Sequence, residues 1–135
     1  MSRLLFVEDD RDDEALTRLG FKNAGFTHDI AVARDGREAL DLLESALAAG
    51  EPLPDVILTD LKMPRMTGLE LLRALTAAPR LRSIPVVFLT SSGNEDDQRE
   101  ASTLGARRYL RKPSNLDDYK DIAAVVTGLM PAKVL

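Results

Sequence analysis

Pro54-Asp55-Val56-Ile57-Leu58-Thr59-Asp60-Leu61-Lys62-Met63-Pro64 carries a short aliphatic run that ends on a carboxylate. Val56, Ile57 and Leu58 are β-branched or aliphatic and too few for a globular helix, so they predict a strand buried on both faces. Met63-Pro64 then forces the chain out of regular structure, because the residue before proline avoids the helical region. Asp60 is left at the strand end between Leu58 and Leu61, where burial meets solvent. A charge placed there must be paired, hydrated or used. A turn or cap role is the simpler alternative for a single aspartate in that position.

Working outward, two more runs resemble this one, Leu4 to Val7 and Val86 to Leu89, and Arg107 to Leu110 reads as a fifth strand. Phe26 to Ala33 adds a less buried strand interrupted at Asp29. Helical periodicity fills the intervals. The first helix, capped by Asp12 or Asp13, places Ala15, Leu16 and Leu19 on a core face, with Phe21 ambiguous, and ends at Asn23-Ala24-Gly25. The second, opened by Asp35-Gly36, carries Ala39, Leu40, Leu43, Ala46 and Leu47. The third runs from Gly68 to Ala78 with Leu69, Leu72 and Leu75 inward. The fourth begins within Asn94 to Asp97 and ends at Leu104-Gly105; its apolar content, Ala101 and Leu104, is thin. The fifth starts near Asn115 to Asp117 and carries Leu116, Tyr119, Ile122, Ala123, Val126 and Leu129. Five strands alternating with five helices through short connections mean a parallel sheet covered on both faces. Residues 1-131 read as a single domain and 132-135 as a short tail.

Composition narrows the function. The 135 residues contain no cysteine and one histidine, His28, which excludes disulfides, thiolate metal sites and histidine-rich zinc sites. No run approaches a membrane span, and no signal peptide precedes the first strand, so the protein reads as cytoplasmic. With 22 acidic and 18 basic residues the net charge is -4, which argues against a nucleic-acid footprint. The acidity is uneven: six of the seven residues from Glu8 to Glu14 are Asp or Glu. A cluster that dense repels itself unless a cation lies nearby.

In open parallel sheets the ligand site lies beyond the carboxyl ends of the strands. Glu8 and Asp9 follow strand one, Asp60 strand three, Thr90 strand four and Lys112 strand five. Three carboxylates in one crevice suit a hard, oxygen-seeking cation such as Mg²⁺. Lys112 adds an ammonium and Thr90 a hydroxyl. Together these are the parts needed to handle a phosphoryl group; a plain Lys112–Asp60 ion pair would use neither Thr90 nor Glu8 and Asp9. GxxxxGK and GxGxxG loops are absent, which argues against nucleoside triphosphate and dinucleotide binding. Flavin fits the topology, but Glu8-Asp9-Asp10 is a poor cradle for its phosphate.

The set Glu8-Asp9-Asp10, Asp60-Leu61-Lys62-Met63-Pro64-Arg65-Met66-Thr67-Gly68, Thr90, Tyr109 and Lys112-Pro113 resembles the receiver domains of two-component response regulators, across essentially the whole chain. The resemblance implies a flavodoxin-like (βα)5 α/β fold with strand order 2-1-3-4-5. It implies that Asp60 accepts a phosphoryl group from a sensor histidine kinase, and that Glu8, Asp9, Asp60 and the backbone carbonyl of Lys62 hold Mg²⁺. Asp10 falls beyond the metal pair as a loop residue. Lys112 would contact the phosphoryl oxygens, Thr90 would move toward them, and Tyr109 would turn inward in response. Lys112-Pro113 looks like the family's cis peptide. The protein would catalyse its own phosphorylation and dephosphorylation without being a metabolic enzyme, and no cofactor other than the metal is implied. Arg80 to Pro85, Ser92 to Asp97 and Asn115-Leu116-Asp117 most resemble the small stand-alone regulators paired with bacterial phytochrome kinases. Those relatives suggest a homodimer through the fourth helix, fifth strand, fifth helix and C-terminal tail. A phosphorelay or a non-phosphorylated interaction module of the same fold is the alternative, and a small phosphatase or flavin-binding protein a more distant one.

Overall fold

A computed structural model describes residues 3–131. In it β1 (Arg3–Val7), α1 (Arg11–Asn23), β2 (Asp29–Ala33), α2 (Gly36–Ala49) and β3 (Val56–Thr59) are followed by α3 (Gly68–Ala77), β4 (Val86–Thr90), α4 (Glu95–Thr103), β5 (Arg108–Arg111) and α5 (Tyr119–Leu129). A 3-10 turn, Leu116–Asp118, leads into α5. Every strand pair is parallel and the order is β2-β1-β3-β4-β5, the expected flavodoxin-like arrangement.

The two-residue period of each strand sorts its side chains between two layers. Leu5, Val7, Ile57, Val86 and Phe88 pack with Ala39 and Leu43 of α2, Leu71 and Leu75 of α3, and Ala101 of α4. Leu4, Phe6, Val56, Leu58, Val87 and Leu89 pack with Phe21 of α1 and Ile122, Ala123 and Val126 of α5. Because β1, β3 and β4 are covered on both sides, each carries an unbroken apolar run, Leu4 to Val7, Val56 to Leu58 and Val86 to Leu89. At the outer position β5 has one hydrogen-bonded neighbour, β4, and its Arg108 and Arg111 are exposed.

Registry brings the strand ends level. Val7 pairs with Thr59, Thr59 with Phe88, and Thr90 with Arg111. Residues one step beyond these pairs, among them Glu8, Asp60 and Lys112, therefore emerge along one edge.

Several expectations are corrected. Ala15, Leu16 and Leu19 face outward, Leu16 and Leu19 being 47% and 46% exposed; α1 buries Thr17, Gly20 and Phe21 instead. The reason is close packing: a Cβ on Gly20 would lie 2.3 Å from Cβ of Tyr119, so only glycine lets α1 meet the start of α5. Asp10, not Asp12 or Asp13, caps α1, its Oδ1 accepting from the backbone N–H groups of both at 2.8 and 3.0 Å. β2 begins only at Asp29, because Phe26 turns aside to pack on Phe21 (5.0 Å between centroids) and His28 (5.2 Å). No cis peptide occurs among the described residues, so Lys112-Pro113 is trans; the isomers of such a bond differ by only about 0.5–1 kcal/mol, and the dipeptide alone does not choose between them.

α4 is as sparsely anchored as its sequence suggests. Ala101 is its one buried residue, Leu104 is half-buried, and Glu100 is tied by an ion pair to Arg73 of α3. Residues 132–135, which carry the expected tail, lie outside the described residues. No helix among the described residues is long and apolar enough to cross a membrane.

Candidate functional site at the carboxyl edge of the sheet

Backbone pairing fixes each functional residue before its side chain acts. The N–H of Glu8 donates to the carbonyl of Ala33 (2.9 Å), that of Asp60 to Val7 (3.0 Å), and that of Lys112 to Thr90 (2.9 Å). Glu8, Asp60 and Thr90 are buried, at 1%, 8% and 2% exposure, while Asp9 is exposed. Carboxylate oxygens of Glu8, Asp9 and Asp60 lie within 4.8 Å of one another, close enough to ligate a single ion. They line an open cleft of about 400 Å³ together with Asp13, Lys62, Thr90 and Lys112. A cleft of similar size near the start of β2, lined by Phe26, His28 and Met130, gathers no comparable set of charges.

Lys112 crosses the cleft. Its Nζ donates to Asp13 Oδ2 (2.7 Å), Glu8 Oε1 (2.9 Å) and Asp60 Oδ2 (2.9 Å). Burial by itself would lower the pKa of this ammonium, but the bonds to Asp13, Asp60 and Glu8 outweigh burial and hold it above lysine's ordinary value. One cation does not satisfy the set. Burial pushes the Glu8 carboxyl up to about 7, against the lowering effect of Lys112, and the neighbouring Asp60 adds to the rise. An oxygen-rich, charge-excessive cleft of this kind fits a hard divalent cation.

Asp60 is fixed from two sides, its Oδ2 by Lys112 and its Oδ1 by the N–H of Leu61 (2.6 Å). Gly68 lets the following helix close over it: the Gly68 N–H donates to the Leu61 carbonyl (2.9 Å), and a Cβ there would fall 2.2 Å from the Asp60 carbonyl oxygen. The loop between β3 and α3 is latched to the start of α2. Arg65, in the left-handed region at φ 63°, pairs through Nε with Asp35 Oδ2 (2.7 Å), while the Gly36 N–H donates to Met66 (3.0 Å). Asp35 also caps α2 by accepting from the Glu38 N–H (2.9 Å). Burial, which would raise the Asp35 pKa, is outweighed by Glu38 and Arg65, so its carboxyl stays below the ordinary range.

On the other flank, Thr90 Oγ1 accepts from the Ser92 N–H (3.2 Å). The Ser92 carbonyl accepts from the Tyr109 hydroxyl (3.2 Å), and its own hydroxyl donates to Asp97 Oδ2 of α4 (3.3 Å). Thr90, Tyr109 and α4 thus meet at one residue.

Of the residues singled out in the sequence, Glu8, Asp9, Asp60, Lys62, Thr90 and Lys112 line the cleft, whereas Tyr109 sits within β5 opposite Phe88 and is joined to it through Ser92. What that reading missed is Asp13, treated as a cap but one helical turn beyond Asp9 and bonded to Lys112, and the Asp35–Arg65 latch. The density of acid from Glu8 to Glu14 was the available signal for Asp13.

Residues 4–124 match the response regulator receiver domain. The chain belongs to this family. It is 40% identical over 117 residues to the probable methanogenesis regulatory protein FilR2 of Methanothrix harundinacea, spanning 87% of this chain and 76% of that one. It is 36% identical over 127 residues to the response regulator Rcp1 of Synechocystis sp., spanning 93% and 84%. The phosphorylated cyanobacterial phytochrome response regulator RcpA superposes with a TM-score of 0.83 at 31% identity, over 97% of this chain and 99% of that one. The Mn²⁺-bound form of Rcp1 gives 0.81 at 33% identity, over 95% and 93%.

Proposed function

We propose that this receiver takes a phosphoryl group onto Asp60 from a phosphohistidine of a sensor histidine kinase, and that the kinase is of the phytochrome class. The observation that carries the first statement is the placement of Asp60 Oδ2 2.9 Å from Lys112 Nζ, with Glu8 and Asp9 oxygens within 4.8 Å. Similarity to RcpA and Rcp1 supports the kinase class, RcpA being a phytochrome response regulator.

In the transfer, an Asp60 carboxylate oxygen attacks phosphorus, the P–N bond to the donor imidazole breaks, and the imidazole leaves as its electron pair takes up a proton. Lys112 draws off negative charge from the phosphoryl oxygens and orients the attacking carboxylate. Glu8, Asp9, Asp60 and the Lys62 carbonyl are the groups that would hold Mg²⁺, which when bound would neutralise charge on the transferred group. The new acyl phosphate adds about 1.5–2 negative charges. Thr90, released from the Ser92 N–H, moves toward it, and Tyr109 and Asp97 feel the change through Ser92. That path leads to the face of α4, β5 and α5, where we place a second copy of the chain.

Acetyl phosphate or beryllofluoride with Mg²⁺ should modify the wild type and leave Asp60→Asn untouched. Equal modification of both would remove Asp60 from the acceptor role. Sedimentation with and without beryllofluoride checks the dimer, and a species that stays monomeric at every concentration rejects it.

A further inference from the structure

Lys112 has three N–H donors and all three are committed: to Glu8, to Asp60 and to Asp13. A phosphoryl group on Asp60 needs a donor from the same ammonium, so one existing partner must let go. Burial decides which. The Glu8 side chain is 1% exposed, and an unpaired carboxylate there would be costly, while Asp60 carries the phosphoryl group itself and so stays beside the ammonium. The Asp13 side chain is 35% exposed and sits on the first turn of α1, where it can rotate into water at little cost.

We infer that Asp13 is a positioning residue that holds the Lys112 ammonium in the unphosphorylated receiver and competes with the phosphoryl group for it. The inference rests on the phosphoacceptor reading above. Asp13 opposes phosphorylation twice. It occupies the third donor of Lys112, and it places a negative charge at the mouth of a cleft that must accept a phosphoryl group carrying more. For a cation alone the sign reverses, since the same charge attracts it.

The test is beryllofluoride binding at saturating Mg²⁺ and Mg²⁺ binding alone, by calorimetry and fluorine NMR, on wild type, Asp13→Asn and Asp13→Glu. Asp13→Asn should bind beryllofluoride about three- to tenfold more tightly, the range expected for removing one partly exposed charge a few ångströms away. It should bind Mg²⁺ more weakly, and Asp13→Glu should restore both values toward wild type. A merely structural role would weaken both ligands together. Unchanged or weaker beryllofluoride binding in Asp13→Asn, or an Asp13→Glu protein that behaves like it, overturns the inference. A wild type that binds beryllofluoride no better than Asp60→Asn overturns the phosphoacceptor reading instead.

Discussion

Gly68→Ala is the sharpest probe of how the fold holds Asp60. The added Cβ would lie 2.2 Å from the Asp60 carbonyl oxygen and 2.8 Å from Phe88 Cε1, whereas Cβ contacts under 3.0 Å are essentially never seen. Helix α3 and the Asp60 backbone must therefore separate by about 0.8 Å or more. Neither side yields easily: Gly68 is bonded to the Leu61 carbonyl, and the Asp60 N–H to Val7 in the next strand. Overpacking of this kind costs about 1–3 kcal/mol of stability, and a displacement near 1 Å at a reacting group lowers rates by about a hundredfold. Gly128→Ala in α5 is the matched control, since a Cβ there meets nothing within 4 Å; it should leave stability unchanged or raise it by up to about 1 kcal/mol. Urea denaturation and the rate of phosphorylation by acetyl phosphate in Mg²⁺ read the two effects. If Gly68→Ala retains wild-type stability and rate, the close approach of α3 to the acceptor backbone is not what positions Asp60.

Other expectations follow from particular contacts. Burial raises the Glu8 carboxyl from 4.5 to about 7, so the folded state holds that proton more tightly than the unfolded chain does. Its stabilising contribution is full below about pH 4.5 and is lost as pH rises through about 7, about 3 kcal/mol in all; metal-free denaturation of wild type against Glu8→Gln across that window should show it, and saturating Mg²⁺ should erase it. Phe21→Ala should cost about 3–5 kcal/mol, while Leu19→Ala, on the outward face of α1, should cost well under about 1; equal losses in thermal denaturation would restore the outward residues to the core. Arg65→Gly keeps the left-handed conformation but loses the bond to Asp35. It should weaken Mg²⁺ binding by loosening the loop that carries the Lys62 carbonyl, and an unchanged Mg²⁺ titration would deny the latch that role.

The sheet was legible because strands covered on both faces tolerate only apolar residues, and Leu4 to Val7, Val56 to Leu58 and Val86 to Leu89 announce themselves as such. The site was legible for a related reason: Glu8, Asp60 and Thr90 each fall where an apolar run ends at its carboxyl side. The phase of α1 was not. Its buried stripe is Thr17, Gly20 and Phe21, and a glycine chosen for close approach to Tyr119 leaves no trace in hydrophobic periodicity, whereas exposed Leu16 and Leu19 mimic a core face. Asp13 was hidden by its own plausibility as a cap, a role that Asp10 fills. The Asp35–Arg65 pair spans thirty positions, and nothing local in either segment foretells it.

At the rim of the sheet, β5 leaves one row of backbone N–H and C=O groups without a neighbouring strand among the described residues. Such a row is a template on which another extended chain can grow. Arg108 and Arg111 stand exposed on the strand itself, with exposed Arg107 just before it, so a second β5 laid edge to edge would bring guanidinium groups against guanidinium groups. The same short strand can then lie open for a side-on partner while resisting the endless strand-by-strand stacking that builds fibrils.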